Sequence, residues 1–168
     1  NFNSTANLIK KLKPTLLIHC AGQVAVTTSV LDPRNDLNVN IIGTFNILES
    51  IRLYSKETKL INMSTNKVYG NIFERKITEC KKRYDFLGKV KSVDENCPLD
   101  FYSPYGCSKG SADQYLLDYN RIYGIKTIVF RHSSMYGSNQ HATFDQGWVG
   151  WFCQKALEYK NANIPPEP

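Results

Sequence analysis

The chain of 168 residues is long enough for one domain with a buried core. Its hydrophobic content of 42% and charged content of 21% are typical of a globular protein. The sequence contains no run of about 18 apolar residues, the length needed to cross a membrane as a helix. The five cysteines are an odd number without a C-x-x-C pair, which argues against a disulfide framework and against a zinc site. We therefore expect a cytoplasmic protein without a metal.

The net charge of +6 raises the question of a nucleic-acid partner. Much of the excess lies in one stretch, ERKITECKKRYDFLGKVK, where acidic and aromatic residues are interspersed. We interpret residues 71–93 as a solvated insertion loop that could at most steer anions. The sequence thus predicts neither a nucleic-acid nor a membrane partner.

Short apolar segments alternate with amphipathic segments along the chain. Three β-branched segments predict strands that are buried on both faces: 15–20, 59–64 and 126–132. Four amphipathic segments predict helices: 7–13, 37–55, 103–124 and 145–160. Gly124 is the expected C-cap of the third helix. This alternation predicts an α/β fold, a Rossmann-like doubly wound parallel sheet with right-handed crossovers.

The predicted sheet is incomplete at both ends. The chain opens within a helix that should follow an earlier strand, and none of its ten glycines forms a G-x-G-x-x-G turn. We therefore expect residues 1–168 to be part of a dinucleotide-binding domain. It lacks the N-terminal glycine-rich βαβ unit and a C-terminal lobe that binds substrate.

Polar and small residues follow each of the predicted strands, in the segments HCAGQVA, STNKVYG and RHSSMYG. In doubly wound sheets ligands bind at this edge, outside the carboxyl ends of the strands. The third helix opens with SPYGCSKG, which places Tyr105 and Lys109 four residues apart on one face. Random placement predicts about one Tyr-x-x-x-Lys in such a chain, so the pair gains its meaning from its position beside this edge.

The ordered motifs H-x-A-G, S-T-x-x-V-Y-G, Y-x-x-x-K and F-R-x-x-x-x-Y-G resemble the extended short-chain dehydrogenase/reductase family. That family includes nucleotide-sugar epimerases and dehydratases. Within it, the segments GQVAVTTSV and DQGWVGWFCQKA resemble enzymes that invert carbon 2 of a CDP-linked dideoxyhexose, CDP-paratose, through transient oxidation with bound NAD. The resemblance is weakest in 71–93. Family members often pair through the helix that carries the tyrosine, which implies a homo-oligomer.

The resemblance also implies roles for individual residues. Tyr105 is the expected general acid/base, and Lys109 is expected to lower the pKa of its phenol and to hold the nicotinamide ribose. Thr65 is expected to share the proton of the substrate's alcohol. The implied NAD contacts are Ala21, Gly22, Gln23, Asn40, Ser64, Tyr105, Lys109, His132 and Ser133. The implied substrate contacts are Thr65, Asn66, Ser134 and Gln146.

Three other interpretations stay open. A sugar 4,6-dehydratase of this family carries Asp-Glu directly after the catalytic threonine, where this chain has Asn66 and Lys67; these two residues cannot act as the acid and base that dehydration needs. A 4-epimerase would share the same motifs. A non-catalytic dinucleotide-binding protein would share the fold, although the presence of Thr65, Tyr105 and Lys109 together favours an enzyme. We expect the 168-residue chain by itself to be inactive, because the glycine-rich turn and the substrate lobe are missing.

Overall fold

The computed structural model describes residues 1–70, 76–87, 92–143 and 145–161. The chain divides into two compact units, Asn1–Arg131 and His132–Pro168, which are treated separately below. The elements in chain order are α1 (Phe2–Leu12), β1 (Leu16–His19), α2 (Val26–Leu31), α3 (Pro33–Leu37), a π-helix (Asn38–Ile42), α4 (Gly43–Tyr54), β2 (Lys59–Thr65), a 3₁₀ turn (Asn66–Tyr69), β3 (Ile77–Cys80), β4 (Arg83–Phe86), α5 (Pro104–Tyr123), β5 (Thr127–His132) and α6 (Trp148–Asn161).

Strands β1, β2 and β5 form one sheet in the order β1–β2–β5. β1 and β2 pair in parallel, with Leu16 opposite Lys59 and His19 opposite Asn62. Because parallel strands end at the same edge, His19 and Thr65 are brought to one side of the sheet. The predicted α/β fold with a Rossmann-like parallel sheet is confirmed.

The core of the first unit lies on one face of the sheet. Alternation along the strands points Leu17, Leu60 and Val129 toward the helices, whereas Leu16 and Ile128 on the opposite face are exposed. Full burial of one such aliphatic side chain stabilises the fold by about 1.5–3 kcal/mol. The buried members of the cluster are Ile9, Leu48, Ile51, Leu60, Leu116, Tyr119 and Ile125.

Helix α5 has a clear start and stop. Ser103 is its N-cap, and its hydroxyl accepts a hydrogen bond from the N–H of Gly106 at 3.0 Å. Pro104 occupies the first helical position, where a missing N–H costs nothing. Gly124 adopts φ +70° as the C-cap, so the predicted end of this helix is confirmed.

Two regions differ from the prediction. Two short helices that were not predicted, α2 and α3, occupy Val26–Leu31 and Pro33–Leu37. The predicted helix 37–55 is not continuous: it begins with the last residue of α3 and continues as the π-helix and α4. The insertion 71–93 contains a β-hairpin rather than only a loop: β3 and β4 are antiparallel, with Ile77 opposite Phe86. Residues 71–75 and 88–91 of that insertion lie outside the described residues.

None of the helices within the described ranges is both long enough and apolar enough to cross a membrane.

Candidate active site

Thr65 ends β2 and begins the turn that follows it. Its side chain caps the 3₁₀ turn, because its hydroxyl oxygen accepts from the N–H of Lys67 at 3.2 Å. The same hydroxyl lies 3.5 Å from Asn66 Oδ1. Thr65 and its neighbour Ser64 are both only 7% exposed. The strand end therefore presents two buried hydroxyls at the edge where ligands bind in this fold.

Gly70 closes this turn. Its φ is +58°, and a Cβ at this position would lie 1.4 Å from the backbone oxygen of Asp100. The N–H of Asp100 also donates to the carbonyl of Val68 at 3.1 Å. Only glycine fits here, for both conformational and steric reasons. The glycine of the V-Y-G motif thus lets the turn pass close to the backbone of Asp100, and this contact fixes the position of the strand end.

Tyr105 projects from the first turn of α5 and is 8% exposed. In the first turn of a helix, no helical carbonyl is available to accept from a backbone N–H. The N–H of Tyr105 instead donates to the hydroxyl of Ser29 at 3.1 Å. Burial raises the pKa of the phenol, a hydrogen bond with the Thr65 hydroxyl lowers it, and the charge of Asp36 raises it. The net shift is upward because desolvation dominates. The lowering of this pKa that is expected from Lys109 stays a prediction.

Lys109 lies one turn further along α5 and is 8% exposed. Its Nζ donates to the carbonyl of Met63 at 2.5 Å, two residues before Thr65 on β2. Burial lowers the pKa of the ammonium, and the negative charges of Asp36 and Asp113 act in the opposite direction. Thr65, Tyr105 and Lys109 therefore meet at the carboxyl end of β2. Their catalytic roles stay a prediction.

Asn40 joins three parts of the site and is 2% exposed. Its Oδ1 accepts from the N–H of Gln23 at 3.0 Å, and its Nδ2 donates to the carbonyl of the same residue at 3.2 Å. The Nδ2 group also contacts Asp36 Oδ1 at 3.2 Å and Ser108 Oγ at 3.0 Å. Two protons are shared among three acceptors. The π-helix places this amide, as such helices often do at functional sites.

Gly22 lies where the segment after β1 approaches α5. A Cβ on Gly22 would lie 3.1 Å from Asn40 Oδ1 and 3.6 Å from Lys109 Nζ. The backbone here therefore comes closer to the Asn40 side chain than a larger residue would comfortably allow, whereas the distance to the lysine is an ordinary contact. Ala21, before it, is exposed.

His19 is buried at the end of β1, as expected for a core histidine. Its Nε2 lies 3.1 Å from the hydroxyl of Thr44, whose single proton is donated to the carbonyl of Asn40 at 2.7 Å. The hydroxyl must accept from His19, so Nε2 carries the proton of the neutral ring. Burial, and secondarily the charge of Lys109, lowers the pKa of His19 to about 4.

Asp113 and Arg131 were not singled out by the sequence analysis, yet they form a buried ion pair in the first unit. Arg131 Nε donates to Asp113 Oδ2 at 2.7 Å, and the carboxylate is fully buried. Arg131 Nη1 also donates to the hydroxyl of Tyr69 at 2.9 Å. The pair thus ties the middle of α5 to the turn after β2. Ser29 and Asp36 were missed in the same way, although the i, i+4 spacing of Asp36 and Asn40 was a usable signal.

Several buried polar atoms near this edge have no hydrogen-bond partner among the described residues: Gln23 Oε1, Asp36 Oδ2, Asn62 Nδ2 and Ser64 Oγ. Unsatisfied buried groups are rare in folded proteins, and a bound polar molecule is one explanation. Two of them belong to residues expected to contact NAD, Gln23 and Ser64. Together with the uncrowded backbone at Gly22 and the ammonium of Lys109, they fit a ligand rich in hydroxyl and amide groups.

The remaining predicted contacts lie in the second unit. His132 is the last residue of β5, and Ser133 follows it exposed. Ser134 Oγ accepts from the indole N–H of Trp148 at 3.0 Å. Gln146 closes a short turn, because its carbonyl accepts from the N–H of Thr143 at 2.8 Å. The structure describes these residues within their own unit only.

Across the described ranges, no group of three or more His, Cys, Asp or Glu side chains is arranged to hold a metal ion. The site instead combines a phenol, a hydroxyl and an ammonium. Such a set can transfer a proton to and from an alcohol and can stabilise negative charge on its oxygen.

Comparison with known proteins adds independent information. A family model described as GDP-mannose 4,6 dehydratase matches residues 1–164. The chain is 55% identical over 166 residues to CDP-paratose 2-epimerase from Salmonella typhi, covering 99% of this chain and 49% of that protein. These findings confirm the resemblance to nucleotide-sugar epimerases and dehydratases.

Two solved structures share the fold. UDP-glucose 4-epimerase from Thermotoga maritima, crystallised with UDP-glucose, has a TM-score of 0.78 and 30% identity over 94% of this chain and 46% of that chain. UDP-glucose 4-epimerase from Thermus thermophilus, in complex with NAD, has a TM-score of 0.76 and 29% identity over the same shares, 94% and 46%. The chain spans about half the length of the proteins it matches.

Proposed function

Because the chain belongs to the GDP-mannose 4,6 dehydratase family, we propose that its full gene product is an NAD-dependent nucleotide-sugar epimerase. Its proposed substrate is CDP-paratose, which it would convert to CDP-tyvelose by inverting carbon 2. The identity of 55% to CDP-paratose 2-epimerase supports this choice of substrate. The observation that carries the proposal is the meeting of the buried Thr65, Tyr105 and Lys109 side chains at the end of β2.

In the proposed reaction Tyr105 removes the proton of the sugar hydroxyl during oxidation and returns it during reduction. The Thr65 hydroxyl, which hydrogen bonds with the phenol, orients the sugar oxygen. Lys109 stabilises the phenolate as a nearby positive charge and is held in place by the Met63 carbonyl. We propose that Asn66, which is exposed directly after Thr65, contacts the sugar.

We propose that Gly22, Gln23, Asn40, Ser64 and Lys109 hold NAD, with Ala21, His132 and Ser133 as further contacts. When bound, NAD supplies the reversible oxidation of the sugar alcohol and a positive ring charge beside the phenol. Water exclusion is provided by the burial of Tyr105 and Lys109, which keeps charge interactions strong. Ser134 and Gln146 are proposed substrate contacts.

A dehydratase is the second candidate, because the matching family model bears that description. Dehydration requires an acid and a base at the neighbouring sugar carbons after oxidation. Asn66 carries an amide, which does not exchange protons in the manner of a carboxylate. Lys67 is exposed and cationic, and its backbone N–H is bound to Thr65. These residues favour epimerisation.

Two further features of the full protein are proposed. None of the five cysteines, all within the described ranges, forms a disulfide, and we place the reaction in the cytoplasm, where thiols stay reduced. We also propose that the full gene product forms a homo-oligomer through α4 and α5. The 168-residue chain alone is expected to be inactive.

The test is carried out on the full gene product. The purified protein is denatured, released NAD is measured by absorbance and enzymatic cycling, and the native protein is incubated with CDP-paratose in deuterated water. We expect CDP-tyvelose that retains its hydrogen at carbon 2. CDP-paratose has no 6-hydroxyl to eliminate, so a parallel incubation with CDP-glucose tests the alternative: solvent deuterium at carbon 5 there would identify a dehydratase. NAD release without any sugar product from either substrate would leave a non-catalytic binding protein.

Tyr105→Phe is the matched variant for this test. Loss of the proton-transferring hydroxyl is expected to reduce turnover by about 10²- to 10⁴-fold, while the melting temperature stays near that of the parent. Tyr102→Phe serves as the control, because that side chain is 75% exposed. Equal turnover in Tyr105→Phe and the parent would rule out Tyr105 as the acid/base.

A further inference from the structure

Asp36 is a buried carboxylate that the proposed reaction does not use directly. It lies in α3 and is 1% exposed. Its Oδ1 accepts from Asn40 Nδ2 at 3.2 Å. The same Nδ2 donates to the Ser108 hydroxyl at 3.0 Å, and that hydroxyl donates its own proton to the carbonyl of Tyr105 at 3.2 Å. Its Oδ2 has no hydrogen-bond partner in the part of the chain that the structure describes. A charge this deeply buried requires compensation from its surroundings.

Asp36 reaches two parts of the site through its partners. Asn40 clamps the backbone of Gln23 with an acceptor contact at 3.0 Å and a donor contact at 3.2 Å. Ser108 immediately precedes Lys109 on α5, and its hydroxyl also accepts from Asn40 Nδ2 at 3.0 Å. A rotation of the carboxylate would therefore disturb both the segment after β1 and the first turns of α5.

Several charged groups lie around Asp36 and act on it or on the catalytic side chains. Lys109 on α5 is the cation that acts on Asp36, and Asp36 acts in turn on Lys109 and on Tyr105. Asp113 of α5 and Cys20 after β1 also act on the lysine. Neutral groups face the same region: the His19 ring from β1 and the Thr65 hydroxyl from β2. Asp36 is the one carboxylate among these groups that acts on both catalytic side chains.

We propose that Asp36 is a positioning residue: through Asn40 and Ser108 it orients the Gly22–Gln23 backbone and Lys109, and its negative charge faces the ammonium. The inference rests on the proposed function for the identity of the reaction. Burial raises the pKa of Asp36 overall, and the charge of Lys109 opposes that shift. The positioning role requires the nearby Lys109 charge to keep the carboxylate ionised at the working pH.

Asp36→Asn removes the charge but keeps the size of the side chain and an oxygen that accepts from Asn40. Since the charge of Asp36 raises the pKa of the Tyr105 phenol, its removal is expected to lower that pKa. In a plot of kcat against pH, the acidic limb should then move to lower pH. Asp36→Ala also removes this acceptor of the Asn40 amide, and the looser Asn40 should weaken NAD binding about tenfold.

The full gene product is labelled with [ζ-¹³C]tyrosine, and the Tyr105 signal is assigned from its absence in Tyr105→Phe. Its titration is compared among the parent, Asp36→Asn and the control Asp118→Asn, which removes an exposed carboxylate of α5. A lower phenol pKa in Asp36→Asn alone, at an unchanged melting temperature, supports the proposal. An unchanged phenol titration and an unchanged kcat profile overturn it.

Two further outcomes keep the test decisive. If Asp36→Asn does not fold, Asp36→Ser replaces it, because serine also removes the charge, keeps an acceptor for Asn40 and should lower the phenol pKa in the same direction. If no sugar is epimerised but the phenol titration shifts, the proposed function fails and the role of Asp36 stands. If CDP-paratose is epimerised and the phenol titration does not shift, the proposed function stands and the proposed role of Asp36 fails.

Discussion

Protonation of His19 is expected to make the stability of the fold depend on pH. The folded ring titrates near pH 4, because of burial and then the charge of Lys109, whereas the unfolded ring titrates near 6.5. Between these values the unfolded chain binds more protons, so stability is lost as the pH falls. The loss is expected to reach about 3 kcal/mol at pH 4.

The check is urea unfolding followed by circular dichroism at pH 7.5, 6, 5 and 4. His19→Gln keeps a donor in the place of Nε2 and cannot ionise, so its stability should fall less over this range. His141→Gln is the control, because that ring is exposed. A His19→Gln protein with the same pH dependence as the parent would assign the acid sensitivity to other groups.

Residues that carry chemistry were easier to predict than the residues that hold them. Tyr105 and Lys109 share a motif with fixed spacing, and Thr65 ends a strand whose apolar pattern is unambiguous. Ser29 contacts the N–H of Tyr105 from 76 positions away in the chain. No local pattern in VTTSVL announces that contact, because it depends on how α2 packs against α5.

Among the elements, the turn after β2 is expected to be the most sensitive to substitution. Gly70→Ala places a Cβ against the Asp100 backbone at φ +58°, and is expected to cost at least about 3 kcal/mol of unfolding free energy. Gly124→Ala tests the left-handed conformation alone, since nothing lies within 4 Å of its Cβ at φ +70°; about 1 kcal/mol is expected.

Gly137→Ala completes the series, because its Cβ would enter open space without a positive φ. Denaturant midpoints of the three variants should fall in the order Gly137→Ala, Gly124→Ala, Gly70→Ala, from most to least stable. Equal midpoints for the last two would mean that the crossing at Asp100 relaxes without cost.

The elements themselves were predictable where periodicity and punctuation agreed. β2 extends the predicted strand by one residue, and α5 ends at its predicted glycine. The π-helix at Asn38–Ile42 was not predictable, because its sequence reads as ordinary helix, and the long-range contacts that Asn40 makes from it have no local signal. The start of α3 was readable in retrospect: Asp32 caps Asn35 at 3.0 Å and Pro33 follows it.

For the whole protein, the proposed homo-oligomer can be tested on α4 and α5. The two helices contact each other through Phe45, whose ring centroid lies 5.5 Å from that of Tyr115. Apolar side chains remain exposed on both helices, a composition suited to a second copy of the chain: Leu53, Tyr54, Tyr115, Ile122 and Tyr123.

Ile122→Asp is expected to convert the full gene product to a monomer, because a symmetric interface would bury two unpaired carboxylates. Light scattering after size-exclusion chromatography measures the mass. Leu31→Asp is the control, since that side chain on α2 is 86% exposed. A dimer that persists in Ile122→Asp would place the interface elsewhere.

The anchoring of Lys109 has a consequence for how this protein can change. The ammonium is bound by the main-chain oxygen of residue 63, and every amino acid brings that oxygen with it. Substitutions at position 63 therefore leave the acceptor of Lys109 in place, as long as residue 63 remains part of the strand. A directed-evolution library could vary position 63 to reshape the surroundings of the site without unseating the lysine.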